Sequence, residues 1–256
     1  MSLPLTGAGP SAAGEWTPAS PTSSGGVLPH TWHYAGSGAL YQDSGKTTPA
    51  VSDGDAIGAS VNQGSDTHDI VQATTAVKPT LKLSILNSEA VYRLDGGDYL
   101  QGAFNAAISQ PVTIYCVAQL DASVVNNNTA YQLLSADDGT NRMRFRQADA
   151  DPDVFSFDMG ATLNGPASDS SWHIWSFQVN GVSSIIRDGG VSKATGSMGT
   201  HNPDGLTVGS SETATLKWIG DFAELLIYDP TLSTADLNQL GNYLATKFAL
   251  SWTTIT

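Results

Sequence analysis

The chain has 256 residues, of which 40% are hydrophobic and 14% are charged, and its formal net charge at pH 7 is −13. This acidity disfavours binding to the phosphate backbone of nucleic acids, and no run of about 18 apolar residues is present that would span a membrane. We therefore expect no nucleic-acid partner and no membrane span. The N-terminus lacks the basic segment and apolar core of a secretory signal, so we expect none.

Residues 1–31 differ in composition from the rest of the chain. Five of the twelve prolines lie here, separated mainly by Gly, Ser, Thr and Ala. Such a segment buries little apolar surface and is predicted to be extended. It is either a flexible tail or an arm that becomes ordered on a partner. The apolar residues that could anchor such an arm are Leu3, Leu5, Trp16, Val27 and Leu28.

Residues 32–256 read as short strands separated by turns and predict one all-β domain. Gly, Asp and Asn mark the turns, as in "DDGTNR" at 137–142 and "RDGG" at 187–190. Alternating or continuous apolar runs between the turns indicate strands. The predicted strands lie at 91–94, 112–120, 131–135, 142–147, 153–159, 173–180, 183–187, 206–209, 215–219 and 222–228.

The strand at 112–120 contains Cys116, the single cysteine of the chain. One cysteine cannot form an internal disulfide. Cys116 shares a face with apolar residues at two-residue spacing, and no activating neighbour is evident, so we interpret it as a buried structural thiol.

Two strands near the middle of the chain predict a hairpin. An antiparallel pairing of "RMRFRQ" with "VFSFDM" places Phe145 opposite Phe157 and Arg144 opposite Asp158. Arg142, Arg144 and Arg146 then form a basic stripe on an acidic protein. The stripe is either a solvated strand face or a contact surface for a partner.

The end of the sequence predicts a strand, a turn and a helix. "FAELLIY" is apolar on both faces, with Ala223, Leu225 and Ile227 on one and Phe222, Leu226 and Tyr228 on the other. Both faces must therefore be covered. Asp229-Pro230 ends the strand, and Ser233 is a good N-cap for a helix. Apolar residues at helical spacing follow, namely Leu237, Leu240, Leu244 and Phe248.

In their order along the chain, these motifs resemble a laminin G-like domain. They are "SSWHIWSFQVNG" followed by "SIIRDGG", then "GLTVGS" and "WIGDFAELLIYDPTLSTADL". Upstream, "LYQDSGKTTPAVSDGDAIGASV", "ATTAVKPTL" and "VYRLDGGDYL" are similar to concanavalin A-like domains of bacteriophage virion proteins and bacterial surface proteins. The resemblance covers residues 38–252. It implies an antiparallel two-sheet jelly-roll sandwich with one short C-terminal helix, preceded by the extended arm.

Acidic turns and exposed aromatic residues are the candidate binding elements. Asp-Gly turns either build the loops or hold calcium, which binds carboxylate and carbonyl oxygens, as some laminin G-like domains do at the rim. The calcium candidates are Asp53, Asp55, Asp95 and Asp98, together with Asp137 and Asp138. The aromatic candidates for stacking on a sugar ring are Trp172, Trp175 and Tyr99. Trp172 and Trp175 are three apart on one strand, so they should point to opposite faces.

The sequence shows no catalytic constellation. Glycoside hydrolysis usually needs two carboxylates that flank the sugar bond, and the Glu-x-Asp-x-Glu pattern of related glucanases is absent. We interpret Glu224, inside a predicted strand, as structural. We expect no enzyme activity, and no cofactor apart from calcium.

The resemblance implies a virion structural protein that decorates a capsid or belongs to a tail. Its partners would be other virion proteins, further copies of itself (a trimer is one arrangement) and glycans of the host surface. Its location would be the virion, assembled in the host cytoplasm. The alternatives are a free carbohydrate-binding module or receptor-binding protein, extracellular or on a cell surface, and a glycoside hydrolase.

Overall fold

A computed structural model describes residues 16–18 and 28–256. In these ranges, strands form two antiparallel sheets, and one α-helix covers part of the outer face of the first sheet. The all-β sandwich with a C-terminal helix is therefore confirmed. No helix in the described ranges has the length and hydropathy that a membrane span requires.

The strands of the described ranges are short, apart from three that form the centre of the first sheet. They are β1 Thr31–Tyr34, β2 Leu40–Tyr41, β3 Ala59–Ser60, β4 Ile70–Val71, β5 Thr80–Leu86, β6 Glu89–Asp95, β7 Leu100–Ala103, β8 Val112–Leu120, β9 Tyr131–Ser135, β10 Arg144–Ala148, β11 Val154–Asp158, β12 Thr162–Ala167, β13 Trp172–Val179, β14 Ser184–Asp188, β15 Val191–Gly196, β16 Gly205–Val208 and β17 Ile219–Tyr228. The α-helix, α1, is Thr234–Phe248, and three short 3₁₀ helices are Thr75–Val77, Ala122–Val124 and Gly181–Ser183.

The first sheet has the order β15-β14-β13-β8-β17-β6-β5. One edge of β17 is shared by two partners: β6 pairs with its first half, from Ile219 to Phe222, and β1 pairs with its second half, from Glu224 to Ile227. The second sheet has the order β12-β11-β10-β9-β16-β7-β4-β3-β2.

The core lies between the two sheets and is rich in aromatic side chains. Trp175 and Phe177 of β13 face Phe145, Phe155 and Phe157 of the second sheet. Cys116 is buried in this core, as the sequence predicts, and burial raises the pKa of its thiol, so it is an inert packing group.

The predicted hairpin is confirmed in its register. Arg144 pairs with Asp158 and Phe145 pairs with Phe157 across β10 and β11. The strand begins at Arg144 rather than 142, so Arg142 lies in the preceding loop.

The predicted facing of β17 is wrong in its first part. Phe222 lies in the core with Leu225 and Ile227, whereas Ala223 lies under the helix with Leu226. The pairing of β17 with β8 shifts register between Phe222 and Glu224. This bulge inserts one residue and moves the following side chains to the opposite face from strict alternation.

The helix α1 begins and packs as predicted. Ser233 is its N-cap, and its hydroxyl accepts a hydrogen bond from the Asp236 amide at 3.2 Å. The predicted apolar residues of the helix are all buried against the outer face of the first sheet. The covered residues of the sheet include Tyr115, Ile174 and Leu226.

Other strand predictions need correction. Residues 215–218 lie outside any strand, and the strand predicted at 215–219 is a loop that runs into the start of β17 at Ile219. The sequence also does not predict the strands β1 to β5, β7, β12 and β15. In addition, Thr31, at the end of the predicted arm, is the first residue of β1 and is fully buried.

Candidate functional site

A pocket of about 410 Å³ lies beside the start of β13. Three parts of the chain line it: the first residues of β13, the turn between β14 and β15, and the segment that follows α1. The lining residues are Trp172, His173, Ile174, Asp188, Gly189, Val191, Ala249, Leu250, Ser251 and Thr253.

The turn and the C-terminal segment are held together by close backbone contact. The Thr253 amide donates to the Gly189 carbonyl at 2.7 Å. Gly190 has a φ of +83°, and a Cβ atom placed there would lie 1.9 Å from the Thr253 carbonyl oxygen. The second glycine of "RDGG" is therefore required both by the backbone conformation and by the approach of the segment that closes the pocket.

His173 is fixed between two carboxylates at the floor of the pocket. Its Nδ1 lies 3.1 Å from Asp188 Oδ1, and its Nε2 lies 2.9 Å from Asp169 Oδ1. Burial lowers the pKa of His173, but the hydrogen bonds and charges of Asp188 and Asp169 outweigh burial and raise the pKa above its usual value. Both imidazole nitrogens are therefore engaged by carboxylates, which favour the protonated form of His173.

Trp172 is the predicted ligand-binding residue that lies in the pocket. The structure confirms that Trp172 and Trp175 point to opposite faces: Trp172 is half-buried on the helix side, and Trp175 is 1% exposed in the core. Tyr99 lies in the loop before β7, where its amide donates to the Val77 carbonyl. Tyr99 does not line the pocket.

The pocket offers an aromatic surface beside acceptors and donors of hydrogen bonds. The Trp172 ring is apolar on its faces, the Asp188 carboxylate accepts hydrogen bonds, and Ser251 and Thr253 carry hydroxyls. His173, Asp169 and Asp188 are not predicted as a group from the sequence. Asp169 and His173 are four residues apart across a loop-to-strand boundary, and only the β13–β14 hairpin brings Asp188 to the same histidine.

Glu224 lies elsewhere and is fully paired. Its Oε1 accepts from Trp32 Nε1 at 2.6 Å, and its Oε2 accepts from Lys247 Nζ at 2.8 Å. The residue is 0% exposed. Both oxygens are occupied by structural contacts, in keeping with the interpretation of Glu224 as structural.

The calcium candidates each serve their own turn or a neighbouring strand. Asp53 contacts Lys82 Nζ and the Leu83 amide, and Asp55 accepts from the amides of Val51 and Ser52.

The Asp95 carboxylate accepts a hydrogen bond from the Gly97 amide, and the Asp98 carboxylate accepts one from the Asp95 amide. Burial raises the pKa of Asp98 to about 6. Among residues 16–18 and 28–256, no group of three or more His, Cys, Asp or Glu could hold a metal ion. Calcium binding at these turns stays a prediction.

The candidate docking residues fall into separate places. Leu3 and Leu5 lie outside the described residues. Trp16 packs edge-on against Tyr243 of α1, with ring centroids 5.9 Å apart. Two of the three arginines contact one carboxylate: Arg144 Nη2 lies 2.7 Å from Asp158, and Arg142 Nε lies 3.7 Å from it. Arg146 lies in β10 without such a contact.

Comparison with known proteins shows the fold of the chain but no family. No family model matches the sequence, and no curated protein matches it. Solved structures do match the fold. An arabinofuranosidase in complex with arabinofuranosyl-α-1,2-xylobiose has a TM-score of 0.65 at 12% identity, over 87% of this chain and 63% of the other.

Two further structures are similar at lower identity. The binding domain of botulinum neurotoxin serotype D has a TM-score of 0.61 at 8% identity, over 84% of this chain and 51% of the other. A sialidase of Trypanosoma rangeli in complex with the inhibitor DANA has a TM-score of 0.50 at 11% identity, over 90% of this chain and 35% of the other. The chain spans less than two thirds of each of these proteins. At these identities, the likeness is one of fold.

Proposed function

We propose that this chain is a non-catalytic module that binds a neutral glycan in the pocket beside Trp172. The observation that carries the proposal is the pocket itself. Its lining includes the half-buried Trp172 together with Asp188, Ser251 and Thr253. Pockets that combine an aromatic surface with a few fixed polar groups are the usual form of small-ligand sites.

The chemistry of the pocket suits a polyhydroxylated ring. Such a ring has apolar C–H faces that can pack on the Trp172 indole and hydroxyls at its edge that can donate to carboxylates. His173 holds the Asp188 carboxylate at 3.1 Å, so the acceptor is oriented before the ligand arrives. This pre-organisation reduces the entropy that binding must overcome.

The contacts of the acidic residues support a binding role over hydrolysis. A glycosidase usually needs two carboxylates with the sugar bond between them. Here the imidazole of His173 lies between Asp169 and Asp188. Glu224 is occupied by Lys247 and Trp32. These contacts leave Asp169, Asp188 and Glu224 as acceptors and structural groups in the proposed module.

The fold comparisons support the choice of a saccharide among polyhydroxylated ligands. The similar structures include an arabinofuranosidase in complex with arabinofuranosyl-α-1,2-xylobiose and a sialidase in complex with its inhibitor DANA. The arabinofuranosidase binds a saccharide in that complex. The present chain has the same sandwich fold, and the pocket supplies the site.

The proposal is tested by screening the full chain on an array of neutral oligosaccharides and measuring the affinity of any hit by calorimetry. Trp172→Ala should weaken binding by about tenfold or more, which corresponds to the loss of one aromatic contact. Tyr99→Ala is the matched control, because Tyr99 is a predicted aromatic candidate outside the pocket, and it should leave the affinity unchanged.

Two results would overturn the proposal. One is a wild-type chain that binds no neutral glycan on a broad array. The other is equal loss of affinity in Trp172→Ala and Tyr99→Ala, which would place the ligand elsewhere. Release of free sugar from the bound glycan would show that the module is an enzyme.

A virion role is a second proposal, about where such a module works. Its support is the resemblance of residues 38–252 to domains met in bacteriophage virion proteins, together with the Pro-rich segment 1–31. Trp16, a predicted anchor of that segment, lies against Tyr243 of the same chain. Stoichiometric recovery of the chain in purified particles would support the role, and its absence from them would exclude it.

A further inference from the structure

Three of the five histidines of the chain lie together beside β1. His30, directly before β1, stacks on His68 with ring centroids 5.9 Å apart, and His33 of β1 meets the same ring edge-on at 5.8 Å. The Oδ2 atom of Asp66 lies 3.2 Å from His30 Nε2 and 3.2 Å from His68 Nδ1. We call His30, His33 and His68 the histidine cluster.

The cluster attaches β1 to both sheets. His33 Nδ1 forms a hydrogen bond with the Ser60 hydroxyl at 2.9 Å, and the Ser60 hydroxyl forms one with the Tyr92 hydroxyl at 2.8 Å. The Tyr92 hydroxyl donates back to the Tyr34 carbonyl of β1 at 3.1 Å. Ser60 belongs to β3 of the second sheet and Tyr92 to β6 of the first, so these bonds hold β1 from two sides.

The closed cluster has no acceptor for additional protons. His33 is 0% exposed and the side chain of His68 is 2% exposed. The Nε2 atoms of His33 and His68 are buried and have no hydrogen-bond partner in the described part of the chain. A protonated imidazole carries an N–H on both nitrogens. Protonation of His33 or His68 in the closed structure would therefore bury an unpaired N–H together with a charge, which costs free energy.

The charged groups around His30 and His68 do not offset their burial. Those groups are Asp66, Asp69, Asp229 and, through its ion pair with Asp69 at 2.5 Å, Lys46. Burial lowers the pKa of His30 and of His68, and the opposing charge of Asp66 only reduces this effect. His33 faces no carboxylate: burial, and then the charge of His68, lower its pKa to about 3. All three histidines of the cluster therefore favour the neutral form when the structure is closed.

We propose that the histidine cluster is an acid-sensitive latch, which holds β1 in the first sheet at neutral pH and lets segment 28–34 open at low pH. Opening takes His30 and His33 out of the cluster and uncovers His68, so that water can hydrate all three imidazolium ions. β1 has only four residues, so it can open without unfolding the longer strands at the centre of the sheet.

The direction of the effect follows from the lowered pKa values. A free histidine has a pKa of about 6.5, so below that pH the open segment binds protons that the closed cluster does not. The closed state is therefore favoured at neutral pH and is lost as the pH falls below about 6.5. With a folded pKa of about 3, His33 alone should shift the equilibrium toward the open state by about 25-fold between pH 7 and pH 5. His30 and His68 act in the same direction.

The test is hydrogen–deuterium exchange of the full chain at pH 7 and pH 5, followed by mass spectrometry and corrected for the intrinsic pH dependence of exchange. Segment 28–34 includes the His30 amide, which donates to the Ile227 carbonyl at 2.8 Å when β1 is in place. Its protection should fall by about 25-fold or more at pH 5. Segment 112–120, which is β8 at the centre of the same sheet, should stay protected at pH 5.

The double variant His33→Gln/His68→Gln assigns the opening to the cluster. The ratio of protection at pH 7 to protection at pH 5 is taken within each variant, so a general loss of stability cancels. This ratio should be at least tenfold smaller in the double variant than in the wild type, because two of the three titrating groups are gone. His201→Gln is the matched control, because His201 lies outside the cluster, where its Nδ1 accepts from the Arg142 amide, and it should keep the wild-type ratio.

NMR of the histidine ring C–H signals in the wild type provides a second measurement that does not depend on the folding of a variant. In the closed protein at pH 5, the signals of His33 and His68 should still be those of neutral imidazole.

Four results would overturn the inference. The first is equal protection of segment 28–34 at the two pH values. The second is simultaneous loss of protection in segments 28–34 and 112–120 at pH 5, which would indicate global unfolding. The third is a folded double variant that keeps the wild-type ratio. The fourth is titration of His33 and His68 near pH 6.5 in the closed protein, which would show that the cluster accommodates the protons.

Discussion

Lys247 Nζ lies 2.8 Å from Glu224 Oε2, and this ion pair joins the last turn of α1 to the middle of β17. The ammonium also lies 4.7 Å from the ring centre of Tyr34, so an aromatic side chain shares in its stabilisation. Glu224 is fully buried and Lys247 has a side-chain exposure of 12%. The pair is therefore largely shielded from water.

Neutralising one member of this ion pair should destabilise the fold without changing the affinity for the glycan. Glu224→Gln leaves the Lys247 ammonium buried without its counter-ion, which costs about 3–5 kcal/mol in unfolding free energy. The double variant Glu224→Gln/Lys247→Met should cost less, since no charge is left unpaired. Urea denaturation measures both. Loss of glycan binding in a folded Glu224→Gln variant would contradict the structural role.

Gly190→Ala should destabilise the fold and open the Trp172 pocket. A Cβ atom there meets the Thr253 carbonyl oxygen at 1.9 Å, so the segment after Leu250 must move away. We expect faster proteolysis of residues 250–256 and weaker glycan binding. Gly54→Ala is the control, because Gly54 also has a positive φ of +91° but nothing within 4 Å.

Gly54→Ala should carry only the cost of the left-handed backbone, about 1–2 kcal/mol. The loss of stability in Gly190→Ala should exceed it. Equal losses in the two variants would show that contact with the C-terminal segment contributes nothing to the fold.

The protonation of His173 should stabilise the fold at low pH. The pKa of His173 is raised in the folded state, so its contribution is complete below about pH 6.5, the value of a free histidine. The contribution is lost as the pH rises through the folded pKa. His173→Gln should therefore destabilise the protein more at pH 6 than at pH 9, as followed by urea denaturation. An equal effect at both pH values would argue against the paired imidazolium.

His33 should make the fold less stable at low pH, which is the opposite of the effect of His173. Burial, and then the charge of His68, lower the pKa of His33 to about 3, and its Nδ1 bonds to the Ser60 hydroxyl at 2.9 Å. Below about pH 6.5 the unfolded chain takes up a proton that folded His33 does not, so stability falls as the pH falls.

His33→Gln tests this linkage. Between pH 7 and pH 5 the wild type should lose up to about 2 kcal/mol through His33 alone, and the variant should lose correspondingly less. The measurement is the free energy of unfolding of the wild type and of the variant at pH 7 and at pH 5. An unchanged pH dependence in the variant would assign the acid sensitivity to other groups.

Local alternation predicts the strands whose neighbours are also regular. The β10–β11 register follows from alternating arginine and apolar residues, and the opposite facing of Trp172 and Trp175 follows from their spacing. The bulge at Phe222–Glu224 could not be predicted, because Phe222 and Ala223 are compatible with either face. Edge strand β12 contains Gly165 and Pro166, which ordinarily argue against a strand. An edge position tolerates them, since one side of the strand needs no partner.

Most of the candidate site depends on contacts between distant residues. Trp172 was predicted as a ligand-binding residue from its type alone. The pairing of His173 with Asp188 needs the β13–β14 hairpin, and the closure of the pocket needs Thr253 to reach Gly189. Similarly, the sequence predicts the arginine stripe as a unit, but Asp158 forms ion pairs with Arg142 and Arg144 and not with Arg146.

The division of one edge of β17 between β6 and β1 has a consequence for where the chain can be shortened. Four residues, Thr31 to Tyr34, cover the hydrogen-bonding groups of β17 from Glu224 to Ile227. A version that begins after Tyr34 would expose this edge at the centre of the sheet. Unpaired edges recruit strands from other molecules and cause aggregation. A stable, monodisperse fragment should therefore begin before Thr31.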